Sequence, residues 1–482
     1  MASASPQPSF YWHDYETFGT DPRRDRPAQF AGQRTTLDLE PVGDALSIFC
    51  LPAPDILPQP MSCLITGITP QQAERDGVVE AEFAARVHDE LALPGTCGTG
   101  FNSIRFDDEF TRQLLYRNFH DPYTREWENG NSRWDLIDVL RMAYALRPAG
   151  IEWPMHAAGG PSFRLEDLAE ANKVRTGAAH DALSDVEATI ALARLLRTRQ
   201  PRLFDFLFAL RQKRRAFELL DVVRRTPVLH VSSRYPSDRG CCTIVAPLAV
   251  HPQQPNKVIV FDLDADPAPL LELDADDLAD RVFTPRADLP EGIERIPLKA
   301  VSANRSPALA PLSALAGVDT ARIRLDPERC LDHWRRLSGS DGLADKVARV
   351  FAAGGTQGAP AAPVDADLAL YDGFMNDADR VRLRDVRATP PHMLGARAFG
   401  FADRRCEDLL FRYRARNYPE TLSLEESARW DAFRRTRLTT ATDATALTLE
   451  DYFREISVLR DGADGRAAGI LDALEQWGRE IV

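Results

Sequence analysis

Residues 9–18 read SFYWHDYETF, an aromatic-rich run that predicts a buried β-strand. Side chains alternate between the two faces of a strand, so Asp14 and Glu16 project on the same side. The stretches QFAGQRTTL (29–37) and ALSIFCLP (45–52) predict two more strands, and helical patterns follow them. This mixture favours an α/β layer fold. Taken alone, the acid pair would also fit an exposed acidic strand face.

Two later stretches carry further candidate acids. FNSIRFDDEF (101–110) places Asp107 where a strand and a turn lead into a helix, at the end of the helix dipole that favours negative charge. HDALSD (180–185) places His180 and Asp185 at the front of another helix. Each feature also has an ordinary structural explanation, as a helix-terminal acid and as a capping histidine beside a surface acid.

The length and the distribution of patterns predict several domains. A chain of 482 residues exceeds the size at which single hydrophobic cores usually stop growing, about 250–300 residues. Short β patterns such as CCTIVAPLAV and NKVIVFDLD fill the middle, and the end is helical, with a capping-box-like Thr448–Asp451. The uncharged run AAGGTQGAPAAP is typical of a linker. We therefore predict four segments: an α/β domain at 1–198, a β-barrel domain at 199–352, a linker at 353–363 and a helical domain at 364–482.

Charge and composition limit the partners and the compartment. The formal net charge is −13, so any nucleic-acid binding must depend on local basic surface. No apolar run is long enough to span a bilayer, and the opening MASASPQPSF does not resemble a signal peptide. Seven cysteines without CxxC spacing argue against a disulfide framework and a zinc knuckle. We expect a cytoplasmic protein with no membrane association.

The order of these motifs resembles a known class of enzyme. A strand with D-x-E, then Asp107 after a strand, then H-D-A-x-x-D opening a helix is similar to the DEDD exonucleases of the histidine subtype. HDYETFGTDPRRDRPAQFAGQRT (13–35), NSIRFDDEFTRQLLYRNFHDPY (102–123) and LLFRYRARNYP (409–419) resemble the bacterial exonuclease I family, and the resemblance extends along the whole chain. It implies a multidomain fold of α/β, β and α parts: an RNase H-like exonuclease domain, an SH3-like barrel and a helical C-terminal domain that completes a clamp.

The residue types suit phosphodiester hydrolysis. Asp14, Glu16, Asp107 and Asp185 would together carry four negative charges, which are costly in one pocket unless they are neutralised. Two Mg²⁺ ions, with Mn²⁺ as a substitute, would supply four positive charges, orient an attacking water and stabilise the departing 3′ oxygen. His180 suits the general base, because imidazole titrates near neutral pH. We expect 3′→5′ hydrolysis that releases 5′-mononucleotides.

The resemblance also implies residues that hold a single strand of DNA. Cations bind phosphates and aromatic rings stack under bases. The matching positions are Glu16, Arg112, Tyr123, Trp127, Arg141 and Arg164. Two basic stretches, Gln200–Arg239 and Arg412–Arg416, are assigned to the channel wall, with partner binding and solvated surface as the alternatives. Ile244 stands where the family often has a tryptophan, so one stacking platform is expected to be absent.

Family resemblance implies a partner and a cellular role as well. The partner is the acidic, apolar C-terminal tail of single-stranded DNA-binding protein, and the role is processive degradation by a monomer in DNA repair and recombination. Two alternatives remain open. One is another DEDD nuclease, an exoribonuclease or a proofreading enzyme, and the other is a non-catalytic single-strand-binding protein that kept the fold.

Overall fold

The computed structural model describes residues 7–157, 159–175, 177, 181–353, 365–441 and 446–481. The strands in these ranges are β1 Ser9–Thr17, β2 Pro27–Thr36, β3 Leu46–Cys50, β4 Gly77–Val78, β5 Thr96–Gly100, β6 Ser132–Asp135, β7 Val228–Val231, β8 Cys242–Val250, β9 Lys257–Asp262, β10 Leu298–Ser302 and β11 Leu309–Pro311. The first helices are α1 Pro60–Thr66, α2 Pro70–Asp76, α3 Glu80–Leu91, α4 Asp107–Arg117, α5 Leu136–Leu146, α6 Leu165–Ala171, α7 Ala182–Arg199, α8 Pro201–Ala209 and α9 Lys213–Leu219. The remaining ones are α10 Ala268–Glu272, α11 Ala275–Phe283, α12 Pro327–Ser338, α13 Leu343–Ala353, α14 Asp377–Ala388, α15 Arg405–Asn417, α16 Leu424–Thr439, α17 Leu449–Arg460 and α18 Gly465–Glu480.

These elements form two compact units. The first unit comprises the described parts of 1–132, 175–188 and 362–482, and the second comprises 133–174 and the described parts of 189–361. The predicted linker 353–363 lies outside the described residues, apart from the end of α13 at Ala353. The predicted domain boundaries stay a prediction. None of the helices in the described ranges combines the length and apolar character needed to cross a bilayer.

The first unit is organised around a mixed sheet that contains the strands β4-β3-β2-β1-β5 in this order. β1 pairs antiparallel with β2 and parallel with β5, which places it centrally. Its aromatic residues Tyr11 and Tyr15 are buried in a core with Phe30 and Phe83. The predicted α/β layer fold is confirmed, and β1 holds the D-x-E pair inside it.

The C-terminal helices are confirmed, and among the described residues they share apolar cores with the N-terminal part of the chain. Tyr452, Ile456 and Leu474 of α17 and α18 share one apolar core with Phe18 and Leu57. A second core joins Leu383, Leu409 and Tyr413 to Tyr116 and Phe119. The helices pack this way because their apolar stripes cover apolar residues of the first 120 positions.

Helix capping was predicted in part. Thr448 caps α17 by accepting a hydrogen bond from the Asp451 amide, as predicted. The Asp451 carboxylate accepts a hydrogen bond from the Thr448 hydroxyl at 2.7 Å. In a capping box it would accept from the Thr448 backbone N–H instead. A complete capping box lies instead at Ser423 and Glu426, at the start of α16.

The second unit contains the predicted β-rich region. Its antiparallel sheet has the order β10-β9-β8-β7-β11, and β11 is too short to be predicted from the sequence. β8 contains Pro247, and the register with β9 shifts between Pro247 and Ala249. A bulge is the usual way in which an interior strand accommodates a residue without an amide proton.

Candidate active site

β1 carries two acidic side chains on the same face of the sheet. Asp14 pairs with Ala31 of β2, Glu16 pairs with Gln29, and the register shifts directly after Glu16. The pair lies on the face opposite to Tyr11 and Tyr15, as the alternation predicts. Glu16 is 7 % exposed, so the acidic face is largely withdrawn from water and is not an open strand surface.

Asp107 is the first residue of α4 and approaches β1 from the side. The Tyr15 backbone N–H donates to Asp107 Oδ1 at 3.1 Å. The hydroxyls of Thr111 and Tyr15 lie 3.0 Å apart, which fixes the first turn of α4 against the strand. Asp107 is buried at the N-terminus of α4, where the positive end of the helix dipole favours a negative charge.

Asp185 lies in the first turn of α7. Arg175 Nη1 donates to Asp185 Oδ1 at 2.8 Å, which fixes the carboxylate and offsets part of its charge. Asp181 caps the helix by accepting from the Ser184 amide at 3.0 Å. Arg175 belongs to no motif and was not predicted, and Asp181 lies inside the H-D-A-x-x-D motif without having been assigned a role. His180, which directly precedes Asp181, lies outside the described residues.

The structure brings three of the predicted acids together. Asp14, Glu16 and Asp185 each place a carboxylate oxygen within 4.8 Å of the others. Burial, followed by the charges of Asp107, Glu16 and Asp185, raises the pKa of Asp14 well above its ordinary value. Burial raises the pKa of Glu16 to about 8, and Asp185 and Asp181 add to the shift. Asp107 therefore belongs to the same electrostatic cluster.

This cluster fits a hard divalent cation. Carboxylate oxygens are the ligands such ions prefer, and their mutual repulsion in the protein alone is what a bound cation would relieve. A general acid would need one carboxyl group with a raised pKa. Here the pKa is raised at both Asp14 and Glu16. The donor set is that of a metal site.

Besides Glu16, three predicted DNA contacts lie in the first unit. Trp127 is 63 % exposed and available to a ligand. Arg112 is 6 % exposed and donates to both carboxylate oxygens of Glu126, at 2.7 and 2.8 Å. Its guanidinium lies 5.4 Å from the centre of the Tyr123 ring. The charge of Arg112 is therefore matched within the protein, and its geometry favours holding Tyr123.

The two other predicted contacts lie in the second unit. Arg141 donates to Asp138 at 2.7 Å and lies over the Phe163 ring. Arg164 pairs with Glu166 at 2.7 Å, and its side chain is 66 % exposed. An exposed pair is worth only about 0–1 kcal/mol, so Arg164 can exchange its partner for a phosphate.

The assignment of the basic stretch Arg412–Arg416 was wrong. These arginines do not form a channel wall, because their charges pair with buried or half-buried acids. Arg416 donates to both oxygens of Asp55 and of Asp367, and Arg414 pairs with Glu426. Three arginines within five residues show that the stretch is positively charged. They do not show that the charges pair with acids, because those acids are distant in sequence.

Two expectations for the second unit have different outcomes. Ile244 is fully buried in β8, so it is a core residue and offers no ring surface. Lys213, Arg214 and Arg215 at the start of α9 are exposed. The assignment of this part of the Gln200–Arg239 stretch to DNA stays a prediction.

Comparisons with protein-family models place this site in a class. A model described as "Exonuclease" matches residues 11–193, which contain all four acids and His180. A model of the exonuclease I SH3-like domain matches 211–353, and one of the exonuclease I C-terminal domain matches 364–481. The fold and the acidic cluster thus define an exonuclease with an RNase H-like catalytic domain.

Individual relatives agree over the full length. The exodeoxyribonuclease I of Escherichia coli is 46 % identical and covers 100 % of both chains. The structure of exonuclease I from Methylocaldum szegediense is 53 % identical, with a TM-score of 0.93 over 98 % of this chain and 99 % of the other. The chain belongs to the exonuclease I family and is an exonuclease.

Solved relatives contain ligands. Escherichia coli exonuclease I in complex with a dA16 oligonucleotide is 46 % identical, with a TM-score of 0.93 over 99 % of this chain and 100 % of that one. A zinc-bound form of its single-stranded DNA complex has 46 % identity and a TM-score of 0.92 over the same shares. An SSB/exonuclease I structure with the inhibitor CFAM has 44 % identity and a TM-score of 0.90, again over those shares.

Proposed function

We propose that this exonuclease removes 5′-mononucleotides from the 3′ end of single-stranded DNA, in the cytoplasm and in the service of DNA repair. The observation that carries the proposal is the cluster of Asp14, Glu16 and Asp185, whose oxygens lie within 4.8 Å of one another. The single-stranded DNA bound to solved relatives supports the choice of substrate. Processivity and a monomeric state are further parts of the proposal.

Asp14, Glu16, Asp107 and Asp185 would hold two Mg²⁺ ions. When bound, these ions supply charge neutralisation and a water of lowered pKa. Arg175 holds Asp185 in place until the metal enters, and the Tyr15 amide holds Asp107. His180, which immediately precedes the exposed cap residue Asp181, accepts the proton of the attacking water. Glu16 also contacts the terminal nucleotide.

The test is a polarity and metal assay. We expect a 5′-labelled single strand to shorten stepwise in Mg²⁺, while a blunt duplex of the same sequence stays intact. EDTA should stop hydrolysis completely, and excess Mg²⁺ should restore it, because the acids repel one another without a cation. Full activity in EDTA would refute the metal mechanism.

The alternatives are separated by the same assay. An RNA strand of the same sequence tests the exoribonuclease alternative, because recognition at the 2′ position distinguishes the two sugars. Faster degradation of RNA would favour that alternative. Binding of DNA without release of mononucleotides in Mg²⁺ would favour a non-catalytic binder.

The second unit offers a place for the tail of single-stranded DNA-binding protein. A cleft of about 460 Å³ is lined by Leu146, Arg147, Arg202, Leu203 and Phe206, among others. Phe206 is 38 % exposed, and Arg202 is exposed. An apolar floor beside two cations suits an acidic peptide with apolar side chains. The SSB/exonuclease I structure supports this partner class.

Reversal of one charge tests this cleft. We expect Arg202→Glu to weaken binding of an acidic, apolar tail peptide by about tenfold, because an attractive contact becomes repulsive. Fluorescence anisotropy of a labelled peptide measures the affinity. Arg335→Glu is the matched control, since Arg335 is an exposed arginine of the same unit that pairs with Asp332. Equal peptide affinity in wild type and Arg202→Glu would place the tail elsewhere.

A further inference from the structure

An aromatic side chain of the C-terminal region is exposed to solvent next to Tyr123, one of the predicted DNA contacts. Phe374 is 81 % exposed, the highest value among the exposed aromatic side chains of the described residues. Its ring meets the Tyr123 ring edge to face, with centroids 5.6 Å apart and an interplanar angle of 63°. An exposed phenyl ring that is supported by a second ring offers a stacking surface to a ligand.

The side chains of Arg112, Tyr123 and Phe374 contact one another in this order and form a ladder that ends at Phe374. The Arg112 guanidinium lies over Tyr123, and Tyr123 contacts Phe374. One side of the Phe374 ring is therefore supported, while most of its surface remains open to solvent. Such a supported ring is the arrangement that stacks an unpaired base.

The segment that leads into Phe374 is anchored at several points. Leu370 is buried in the core that contains Tyr116. The Tyr371 hydroxyl hydrogen-bonds to Glu109 and lies 3.3 Å from Arg112 Nη1. Arg405 donates to the Gly373 carbonyl at 3.0 Å. Because the backbone is held, a ligand would not have to order this segment, and less affinity is lost.

Local charge favours a base over a phosphate or an acidic peptide. Arg112 is bracketed by Glu109 and Glu126, and Arg380 pairs with Asp121 at 3.4 Å. These pairs leave little net positive field, whereas the rings of Tyr123 and Phe374 offer sequence-tolerant stacking surface. A base inside a duplex is already stacked and could not use the ring.

The ladder begins on the same helix as Asp107. Arg112 lies five residues after Asp107 on α4, a separation of about 8 Å along the helix axis. We propose that Phe374, supported by Tyr123, stacks an unpaired base of the substrate strand upstream of its 3′ end. This inference rests on the proposed function, and it assigns a specific substrate contact to the C-terminal region.

Base-stacking fluorescence tests the inference. Single strands carrying 2-aminopurine at successive positions from the 3′ end are bound in EDTA, which prevents hydrolysis under the proposed mechanism. We expect quenching at one internal position in wild type and in Phe374→Tyr, and loss of that quenching in Phe374→Ala. The Kd for the strand should rise about tenfold in Phe374→Ala and stay near wild type in Phe374→Tyr.

Leu424→Ala is the control for removal of an exposed apolar side chain, since Leu424 is 93 % exposed in the same unit. It should leave both quenching and Kd unchanged. If Phe374→Ala binds and quenches like wild type while wild type releases mononucleotides in Mg²⁺, the stacking inference is refuted alone. If wild type releases no mononucleotides, the proposed function itself has failed.

Discussion

Asp14→Asn should lower mononucleotide release by about 1000-fold or more and, at the same time, raise the Tm of the metal-free protein at pH 7. Loss of one metal-binding carboxylate removes several kcal/mol of transition-state stabilisation, and each 1.36 kcal/mol is tenfold in rate. The gain in Tm follows because burial, together with the charges of Asp107, Glu16 and Asp185, raises the pKa of Asp14. Single-turnover hydrolysis and differential scanning calorimetry measure the two effects.

The sign of the pH dependence follows from the raised pKa. An aspartate of ordinary pKa, about 3.9 when unfolded, is protonated in both states at lower pH and then costs no stability. As the pH rises toward the higher folded pKa, the folded state of wild type loses stability relative to the Asn variant. The difference in Tm should therefore shrink on going from pH 7 to pH 4.

Two further variants separate a metal ligand from a general base. Asp185→Ala should lose both activity and the rise in Tm that Mg²⁺ gives wild type, because binding to the folded state stabilises it. His180→Ala should lose activity and keep the Mg²⁺-dependent rise. Glu187→Gln, an exposed change two residues further along α7, is the control and should behave like wild type. Undiminished hydrolysis in both Asp185→Ala and His180→Ala would refute the assignment.

Arg416→Met should lower the free energy of unfolding by about 3 kcal/mol, near the lower end of the 3–5 kcal/mol typical when one partner of a buried ion pair is removed. Arg416 forms two hydrogen bonds with Asp55 and two with Asp367, and both carboxylates are fully buried. Arg437 still contacts both acids at 3.0 and 2.8 Å, which moderates the loss. Urea unfolding at pH 7 measures it.

The same cluster predicts acid sensitivity. Arg416 and Arg437 hold the pKa of Asp55 and of Asp367 well below the ordinary value. A depressed folded pKa contributes stability that is present above the unfolded pKa of about 3.9 and is lost as the pH falls below it. The cost of Arg416→Met should therefore be largest near neutral pH.

Arg429→Met is the matched control for this cluster. Arg429 pairs with Asp408 at 3.5 Å, and both side chains are more than half exposed. Exposed pairs contribute about 0–1 kcal/mol, so this variant should unfold close to wild type. Equal stability of the Arg416 and Arg429 variants would show that the buried cluster contributes no net stability.

The sequence was most informative where local pattern and chemistry coincide. The alternation of SFYWHDYETF was sufficient to place Asp14 and Glu16 on one face of β1, and the helix start at Asp107 was also predicted. Arg175 and Tyr371 were not predicted, because neither residue belongs to a motif and their contacts with Asp185 and Glu109 form only in the folded chain. The surroundings of Arg412–Arg416 were mispredicted because composition does not reveal burial.

The shared cores of the C-terminal helices limit how this protein can be dissected. Three recognisable sequence signatures succeed one another along the chain. Yet Phe18, Leu57, Tyr116 and Phe119 are covered by side chains from beyond residue 380. A fragment that ends before the C-terminal helices would expose these apolar side chains to water, so the exonuclease and C-terminal segments are not expected to fold independently of each other.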